Sequence, residues 1–216
     1  MTLTDTQKPR WERIDTLLLD LDGTLLDLAF DNYFWRDCIP LAYAVAQGMS
    51  VEQARAALLP RFRQREGQLE WYCIDHWSRE LGLDVAQMHR DERAHVGWLP
   101  GAEDFLRRLQ KMDKRRVLIT NAHPETLAIK DGQTGVSQYF DAVFSSHAFR
   151  APKEDAKFWR GLREVEPYDP ERTMFVDDSL PVLRAARQAG VHWIYAVARQ
   201  PGVELEFPTV GSVAQL

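Results

Sequence analysis

Five short apolar runs constrain the fold of this chain more than any other feature. They cover residues 16–21, 116–120, 141–146, 173–178 and 192–197. Each run is short enough for a β-strand, and none alternates cleanly between apolar and polar residues, which is typical of strands covered on both faces. From the second run onward, helical patterns lie between them, for example at 101–112 and 180–190. This alternation predicts an α/β fold with a doubly wound parallel sheet.

Residues 28–96 interrupt this alternation. The interval contains no convincing strand and instead predicts successive helices at about 30–47, 51–65, 69–81 and 84–95. An all-helical block between the first two strands of an α/β core is typical of an inserted lid. We therefore expect an α/β core domain made of residues 1–27 and 97–216, and an inserted α-helical cap domain made of residues 28–96.

Composition and charge narrow the class of protein. The 216 residues are 45% hydrophobic and 27% charged, an ordinary globular balance, and a net charge of −5 argues against a dedicated binder of nucleic acid or of membrane surfaces. No run approaches the roughly 18 apolar residues of a membrane span, and the polar N-terminal residues lack the apolar core of a signal peptide. We therefore expect a cytoplasmic protein, and the sequence leaves its oligomeric state open.

The two cysteines predict no metal site of their own. Cys38 and Cys73 lie far apart in apolar and aromatic surroundings, and neither belongs to a CxxC or Cys/His ligand spacing. A structural zinc site is therefore not expected. We interpret both residues as buried thiols, with a disulfide as the alternative.

Paired carboxylates follow two of the apolar runs. Asp20 and Asp22 end the run at 16–21 and precede Gly23, which permits a turn that a side chain would crowd. Asp177 and Asp178 end the run at 173–178. Because parallel strands carry their carboxyl ends to one edge of a sheet, four carboxylates are expected there. So much like charge favours a bound divalent cation, and oxygen ligands without histidine suit Mg²⁺, whereas a polar strand end and a helix N-cap are the alternatives.

Two further loops supply groups that suit a phosphate. Thr120 and Asn121 end the run at 116–120, just before a helix that begins at Pro124. A hydroxyl, an amide and the backbone N–H groups of a helix N-terminus can bind a phosphate oxygen, although simple helix capping explains these residues equally well. Lys153 lies in the loop after the third run, where a lone lysine is usually solvated, so its role depends on the other motifs.

In this order, "DLDGT", Thr120, Lys153 and "DD" resemble the four motifs of the haloacid dehalogenase superfamily of phosphohydrolases. The resemblance implies a Rossmann-like parallel sheet with a helical cap inserted after the first motif. It implies that Asp20 attacks phosphorus and forms an aspartyl phosphate, and that Asp22 acts as general acid and then general base. Thr120 and Lys153 would hold the phosphoryl oxygens, with Gly23 and Asn121 also in the phosphate-binding set.

The same resemblance implies a magnesium site. Its ligands would be the Asp20 carboxylate, the Asp22 main-chain carbonyl and Asp178, with Asp177 acting through water or through Lys153. Dehalogenases of the superfamily typically lack an acid at the position of Asp22, so the resemblance favours a phosphatase. Phosphomutases share all four motifs and stay open as an alternative.

Longer stretches, among them "LLDLAFDNYFW", "LEWYCIDHWSRELGLD" and "LITNAHPETLAIK", are similar to bacterial purine 5′-nucleotidases that dephosphorylate GMP and IMP. The similarity implies a purine nucleoside monophosphate as substrate. Asn32 and Tyr33, close after the catalytic loop, are candidates to contact it, although aromatic residues at helical spacing often pack a helical core instead. The alternatives are a sugar-phosphate phosphatase or phosphomutase and, from another class, a non-catalytic binder of phosphate ligands.

Overall fold

A parallel sheet forms the centre of the structure, a computed structural model that describes residues 3–4, 7–198 and 206–216. Within these residues the sheet has the strand order β3-β2-β1-β4-β5-β6, and every neighbouring pair runs parallel. The strands are β1 Thr16–Leu19, β2 Arg115–Thr120, β3 Ala142–Ser145, β4 Thr173–Asp177, β5 Trp193–Val197 and β6 Thr209–Val210. The five predicted strands are therefore confirmed, and the two-residue β6 extends the sheet beyond them.

The strand order reverses its direction at β1, which pairs with β2 on one side and β4 on the other. In open α/β sheets this reversal leaves a crevice outside the carboxyl ends of the strands, and ligands bind there. The topology therefore puts the residues after β1, β2 and β4 around one crevice.

Helices cover both faces of the sheet and form a separate layer of their own. They are α1 Ala29–Tyr33, α2 Ile39–Gln47, α3 Val51–Arg65, α4 Ile74–Leu81, α5 Val85–Asp91, α6 Ala102–Leu109, α7 Pro124–Thr134, α8 Ala156–Val165 and α9 Leu180–Gln188. Of these, α6 and α7 pack on one face of the sheet, and α8 and α9 on the other. This arrangement confirms the doubly wound, Rossmann-like α/β fold.

Successive residues of β1 point into opposite layers. Leu17 and Leu19 pack with Phe105 of α6, whereas Leu18 packs with Phe158 of α8, and all are buried. Side chains of a strand alternate between the two faces of a sheet, so a strand that is covered on both faces is apolar throughout. This explains why the strands read as continuous apolar runs in the sequence.

Residues 29–95 form the helical segment, which contains α1 to α5 and the short turns between them and has a hydrophobic cluster of its own that includes Phe34, Trp77 and Leu81. Glycines in the left-handed conformation, Gly48 and Gly82, end α2 and α4. The predicted helix at 30–47 is interrupted by a π-helical turn at Phe34–Cys38, and the predicted helix at 69–81 begins as a 3₁₀ turn at Leu69–Tyr72. The division into core and cap domains stays a prediction.

Among the described residues, no helix combines the length and apolarity needed to cross a bilayer.

Candidate active site

The ends of three neighbouring strands meet at the crevice. Asp20 follows β1, Thr120 is the last residue of β2, and Asp177 is the last residue of β4. All three are almost fully buried. The parallel register therefore brings together residues that lie up to 157 positions apart in the chain, from Asp20 to Asp177.

Lys153 joins these strand ends from the loop before α8. Its Nζ donates to Asp20 Oδ1 at 2.5 Å and to Asp177 Oδ2 at 2.7 Å, and the side chain is only 2% exposed. Burial disfavours the charged amine, but the two carboxylates outweigh it and raise the pKa of Lys153. Lys153 is therefore a buried cation fixed between two acids, and not a solvated loop lysine.

Asp20, Asp177 and Asp178 form an acidic cluster in which carboxylate oxygens lie within 4.8 Å of one another. Burial and the neighbouring Asp177 raise the pKa of Asp20 to about 7, against the influence of Lys153. Burial also raises the pKa of Asp177 to about 6. The Oδ2 atom of Asp20 is buried with no hydrogen-bond partner among the described residues. Hard oxygen donors, excess negative charge and an unpartnered oxygen fit a divalent cation.

Gly23 makes the close approach between the first loop and Asp178 possible. Its φ is +92°, and a Cβ at this position would lie 2.0 Å from Asp178 Oδ2. The turn returns the chain on itself, because the Gly23 amide donates to the Leu26 carbonyl at 2.8 Å. The expected turn is present, and any side chain there would displace Asp178.

Asn121 is engaged on both sides of its amide. Its Nδ2 donates to Glu154 Oε2 at 2.9 Å, and its Oδ1 accepts from the Lys153 amide at 2.9 Å. The other carboxylate oxygen of Glu154 accepts from Tyr72 Oη at 2.6 Å. These bonds connect the helical segment, through Tyr72, to the loop that carries Lys153. Glu154 and its bond to Tyr72 were not identified from the sequence, because nothing local to either residue indicates its partner.

A second buried lysine was also not identified from the sequence. Lys130 of α7 donates to Asp22 Oδ1 at 2.7 Å and to both oxygens of Asp31 in α1, at 2.8 and 2.9 Å. Burial raises the pKa of Asp31 to about 6, although Lys130 lowers it. The one local signal was the position of Lys130, four residues after the buried Thr126 and so on the same face of α7.

A cavity of about 540 Å³ opens above these groups. Its lining includes Asp20, Asp22, Asn32, Thr120, Asn121, Lys153, Asp177 and Asp178, and aromatic side chains of the helical segment, Trp35, Phe62, Trp71 and Tyr72. Tyr33, a sequence candidate for substrate contact, does not line it. The residue is 40% exposed, and its ring centroid lies 4.9 Å from that of His95. Gly23 also lies outside the lining, and it affects the site through its close approach to Asp178.

Comparison of the chain with known proteins identifies a class of enzymes with this fold and this site. The model of the family "haloacid dehalogenase-like hydrolase" matches residues 14–190, so the chain is a member of that family. It is 40% identical over 187 residues to the GMP/IMP nucleotidase YrfG of Escherichia coli (strain K12), covering 87% of this chain and 84% of that protein. It is 29% identical over 201 residues to a phosphoglycolate phosphatase of Agrobacterium fabrum, covering 88% and 84%. The fold matches the crystal structure of a HAD phosphatase from Thermococcus onnurineus with a TM-score of 0.79 at 19% identity, over 93% and 94% of the two chains.

Proposed function

We propose that this phosphatase hydrolyses purine nucleoside 5′-monophosphates, with GMP and IMP as its substrates, through an aspartyl-phosphate intermediate and with Mg²⁺ as cofactor. The observation that carries the proposal is the convergence of Asp20, Lys153 and the acidic cluster at the foot of a cavity lined with aromatic side chains. Its volume lies within the range usual for small-molecule sites.

In the first step, Asp20 attacks the phosphorus atom. A bond forms between a carboxylate oxygen of Asp20 and phosphorus, the ester P–O bond breaks, and Asp22 donates a proton to the leaving ribose oxygen. Both residues line the cavity, one residue apart after β1. This produces the free nucleoside and a phosphorylated Asp20.

In the second step, water releases the phosphate. Asp22, now ionised, accepts a proton from the attacking water, the P–O bond to Asp20 breaks, and both carboxylates return to their starting state. The contact with Lys130 supports this role, because the hydrogen bond from the buried Lys130 at 2.7 Å holds the Asp22 carboxylate in a fixed position beside the cavity.

Thr120 and Lys153 are proposed to hold the phosphoryl oxygens. Thr120 Oγ1 accepts from the Ala122 amide at 3.0 Å, which leaves its own proton for a phosphate oxygen. Lys153 supplies fixed positive charge where negative charge builds up in the transition state. Because both polar atoms of the Asn121 side chain are engaged, we assign Asn121 to positioning the Lys153 loop.

The magnesium ligands are proposed to be the Asp20 and Asp178 carboxylates together with the Asp22 main-chain carbonyl. Both oxygens of Asp177 are engaged, by Lys153 and by the Ser179 amide at 2.7 Å, which favours an indirect role for Asp177. When bound, Mg²⁺ neutralises charge on the transferred phosphoryl group. The acidic cluster and the unpartnered Asp20 oxygen support this assignment.

The purine assignment is supported by the relative named a GMP/IMP nucleotidase and by the aromatic part of the cavity. Trp35, Phe62 and Trp71 line the cavity, and the Phe62 ring lies 5.8 Å from that of Trp35 and 6.2 Å from that of Trp71. Aromatic side chains stack favourably on a nucleobase. Asn32 also lines the cavity and is proposed to contact the base or the ribose. The cytoplasmic location stays a prediction.

A panel of phosphate monoesters tests the proposal. Released phosphate is measured with GMP, IMP, AMP, pyrimidine nucleotides, sugar phosphates and phosphoglycolate, each with and without Mg²⁺. We expect the largest kcat/KM for GMP and IMP and no release without the cation. Activity on sugar phosphates alone would identify a sugar-phosphate phosphatase, isomerisation without phosphate release a phosphomutase, and binding without turnover a non-catalytic protein; each outcome would overturn the assignment.

Asp20→Asn tests the nucleophile separately. The variant keeps the shape of the side chain, and Lys153 keeps its bond to Asp177, so the fold and GMP binding are retained. Phosphate release is expected to fall by at least about 10⁴-fold, because the bond to phosphorus can no longer form. Retained turnover would remove Asp20 from this role.

A further inference from the structure

Three potential metal ligands of another chemical type converge outside the acidic cluster. Cys73 precedes α4, His123 precedes α7, and His147 lies in the 3₁₀ turn Ser146–Phe149 after β3. The Cys73 sulfur and one ring nitrogen of each histidine lie within 4.8 Å of one another. The sequence spacing argued against a zinc site, but the fold brings these residues together from distant parts of the chain.

The two histidines each have a nitrogen available for a cation. His147 Nε2 is buried with no hydrogen-bond partner among the described residues. His123 Nδ1 accepts from the Glu125 amide at 3.3 Å, which is a long bond, and its Nε2 lies 3.6 Å from Asp75 Oδ2. The two rings are 5.0 Å apart and nearly perpendicular. A buried ring nitrogen without a hydrogen-bond partner is unusual in a native structure. A bound metal ion would explain it, because the neighbouring Cys73 and His123 are also metal-ligand types.

We propose that Cys73, His123 and His147 bind a divalent cation of the zinc class, with Asp75 as the fourth ligand. Thiolate and imidazole select such a cation over Mg²⁺, which prefers oxygen ligands. Zinc–ligand distances of about 2.0–2.3 Å place tetrahedral ligand atoms roughly 3.3–3.8 Å apart, so side chains within 4.8 Å need only a small approach. On binding, the thiol proton of Cys73 is released to solvent and the thiolate binds the cation. At His123 the ring proton moves from Nε2 to Nδ1, so that Nε2 binds the cation and the long bond from the Glu125 amide to Nδ1 is lost.

The site joins two parts of the structure. Cys73 and Asp75 belong to the helical segment, whereas His123 and His147 follow strands of the sheet. His123 also lines the main cavity, two residues after Asn121. A cation bound here ties the helical segment to the sheet edge and opposes its movement. We therefore expect the bound cation to slow phosphate release. This effect on the reaction rests on the proposed function, whereas the binding of the cation is independent of it.

Cobalt binding tests the site directly. Co²⁺ is titrated into the reduced protein in the presence of millimolar Mg²⁺, which occupies the acidic cluster, and Zn²⁺ is then added as a competitor. We expect one equivalent of Co²⁺ to bind with a near-ultraviolet thiolate-to-cobalt charge-transfer band, and Zn²⁺ to abolish the band. The band requires a cysteine ligand, so a metal held by carboxylates alone does not produce it.

Matched variants assign the ligands. Cys73→Ser is expected to lose the band, and Cys38→Ser to keep it, because Cys38 is the other half-buried free cysteine and lies outside the cluster. His147→Asn should weaken Co²⁺ binding by at least about tenfold. Absence of the band in the unmodified protein, its persistence in Cys73→Ser, or unchanged affinity in His147→Asn would overturn the proposal. Binding with no effect on phosphate release would retain the site and remove only its inhibitory role.

Discussion

The Nζ atom of Lys130 lies 2.7 Å from Asp22 Oδ1 and within 2.9 Å of both oxygens of Asp31, with the lysine side chain only 2% exposed. Burial acts to lower the pKa of Lys130, but the two carboxylates raise it above its usual range, so the amine is charged. One buried cation therefore connects α7, the loop after β1 and the first helix of the helical segment. It fixes the position of the Asp22 carboxylate.

Lys130→Met tests this connection. Removal of one partner from a buried ion pair leaves uncompensated charge, here on Asp22 and Asp31, and we expect the free energy of unfolding to fall by about 3–5 kcal/mol. We also expect kcat to fall more than KM rises, because Asp22 loses its fixed orientation. Urea denaturation and steady-state kinetics measure the two effects. Lys111→Met, at an exposed lysine, is the control and should change stability by less than about 0.5 kcal/mol.

The variant Lys130→Met/Asp31→Asn separates charge from packing. It removes one of the two carboxylates that Lys130→Met leaves unpaired, so part of the lost stability should return relative to the single variant. If the double variant is less stable than Lys130→Met, then Asp31 stabilises the fold mainly through its hydrogen bonds and not through the balance of charge with Lys130.

Gly23→Ala is expected to weaken magnesium binding. An alanine Cβ would lie 2.0 Å from Asp178 Oδ2, so the carboxylate must move away from Asp20. The backbone at φ +92° adds strain of about 1–2 kcal/mol for a residue with a side chain. The half-saturating Mg²⁺ concentration for phosphate release should rise by at least about tenfold, and GMP binding should change less.

Gly48→Ala is the matched control for this backbone strain. Its φ is +64°, and no atom of the described residues would lie within 4 Å of an alanine Cβ there, so the variant carries strain without displacing a carboxylate. We expect a smaller loss of stability than for Gly23→Ala, because no carboxylate is displaced, and an unchanged Mg²⁺ requirement. Equal effects of the two substitutions on the Mg²⁺ requirement would contradict the role assigned to the contact between Gly23 and Asp178.

Tyr72→Phe removes the 2.6 Å hydrogen bond between the helical segment and Glu154. The loss leaves one oxygen of Glu154 without its donor, which costs about 1–3 kcal/mol, and loosens the loop that Asn121 and Lys153 share. We expect KM for GMP to rise several-fold and kcat to fall, measured by initial rates of phosphate release.

Tyr139→Phe provides the same chemical change away from the cavity. Tyr139 Oη donates to Glu103 at 2.7 Å, and neither residue lines the cavity. A loss of stability without a change in KM or kcat is expected. Should Tyr72→Phe behave in the same way, the bond to Glu154 serves stability alone.

The sequence was most informative where the fold is locally encoded. Asp20, Thr120 and Asp177 could be placed together because parallel strands that are covered on both faces are recognisable from continuous apolar runs, and their ends share one edge. Their spatial proximity then follows from topology alone, without knowledge of any side-chain contact. Strand β6 was not predicted, because a strand of two residues is too short to show a recognisable pattern of apolar residues.

Contacts between the helical segment and the sheet could not be predicted in this way. Lys130 and Glu154 have partners that are set by how separate elements pack, and no spacing in the chain encodes that geometry. For the same reason, the sequence could not predict that Cys73 lies close to two histidines that are distant in the chain. Tyr33 was misplaced relative to the cavity because helix rotation, and not proximity to the catalytic loop, decides which aromatic residues line it.

His89 is expected to make the protein sensitive to acid. The residue is 1% exposed among the rings of Phe30, Phe34 and Trp35, with Lys130 and His123 as the nearby groups that carry or can carry positive charge. Burial, with a smaller contribution from Lys130, lowers the pKa of His89 to about 3. The unfolded chain, with a pKa near 6.5, therefore binds a proton that the folded protein excludes.

The sign of this linkage gives a direct test with His89→Phe, which keeps a ring in the aromatic cluster and removes the titrating group. Stability that depends on neutral His89 is present above about pH 6.5 and is lost as the pH falls from there toward 3, by about 2 kcal/mol between pH 7 and pH 5. The free energy of unfolding of the unmodified protein should fall by that much more than that of the variant over this interval. Above pH 7.5 the two profiles should run parallel, because His89 is then neutral in both states.

Burial also lowers the pKa of His147, to about 4, but this residue is common to both proteins and cancels in the comparison. Parallel profiles down to pH 5 would show that His89 is not buried in its neutral form.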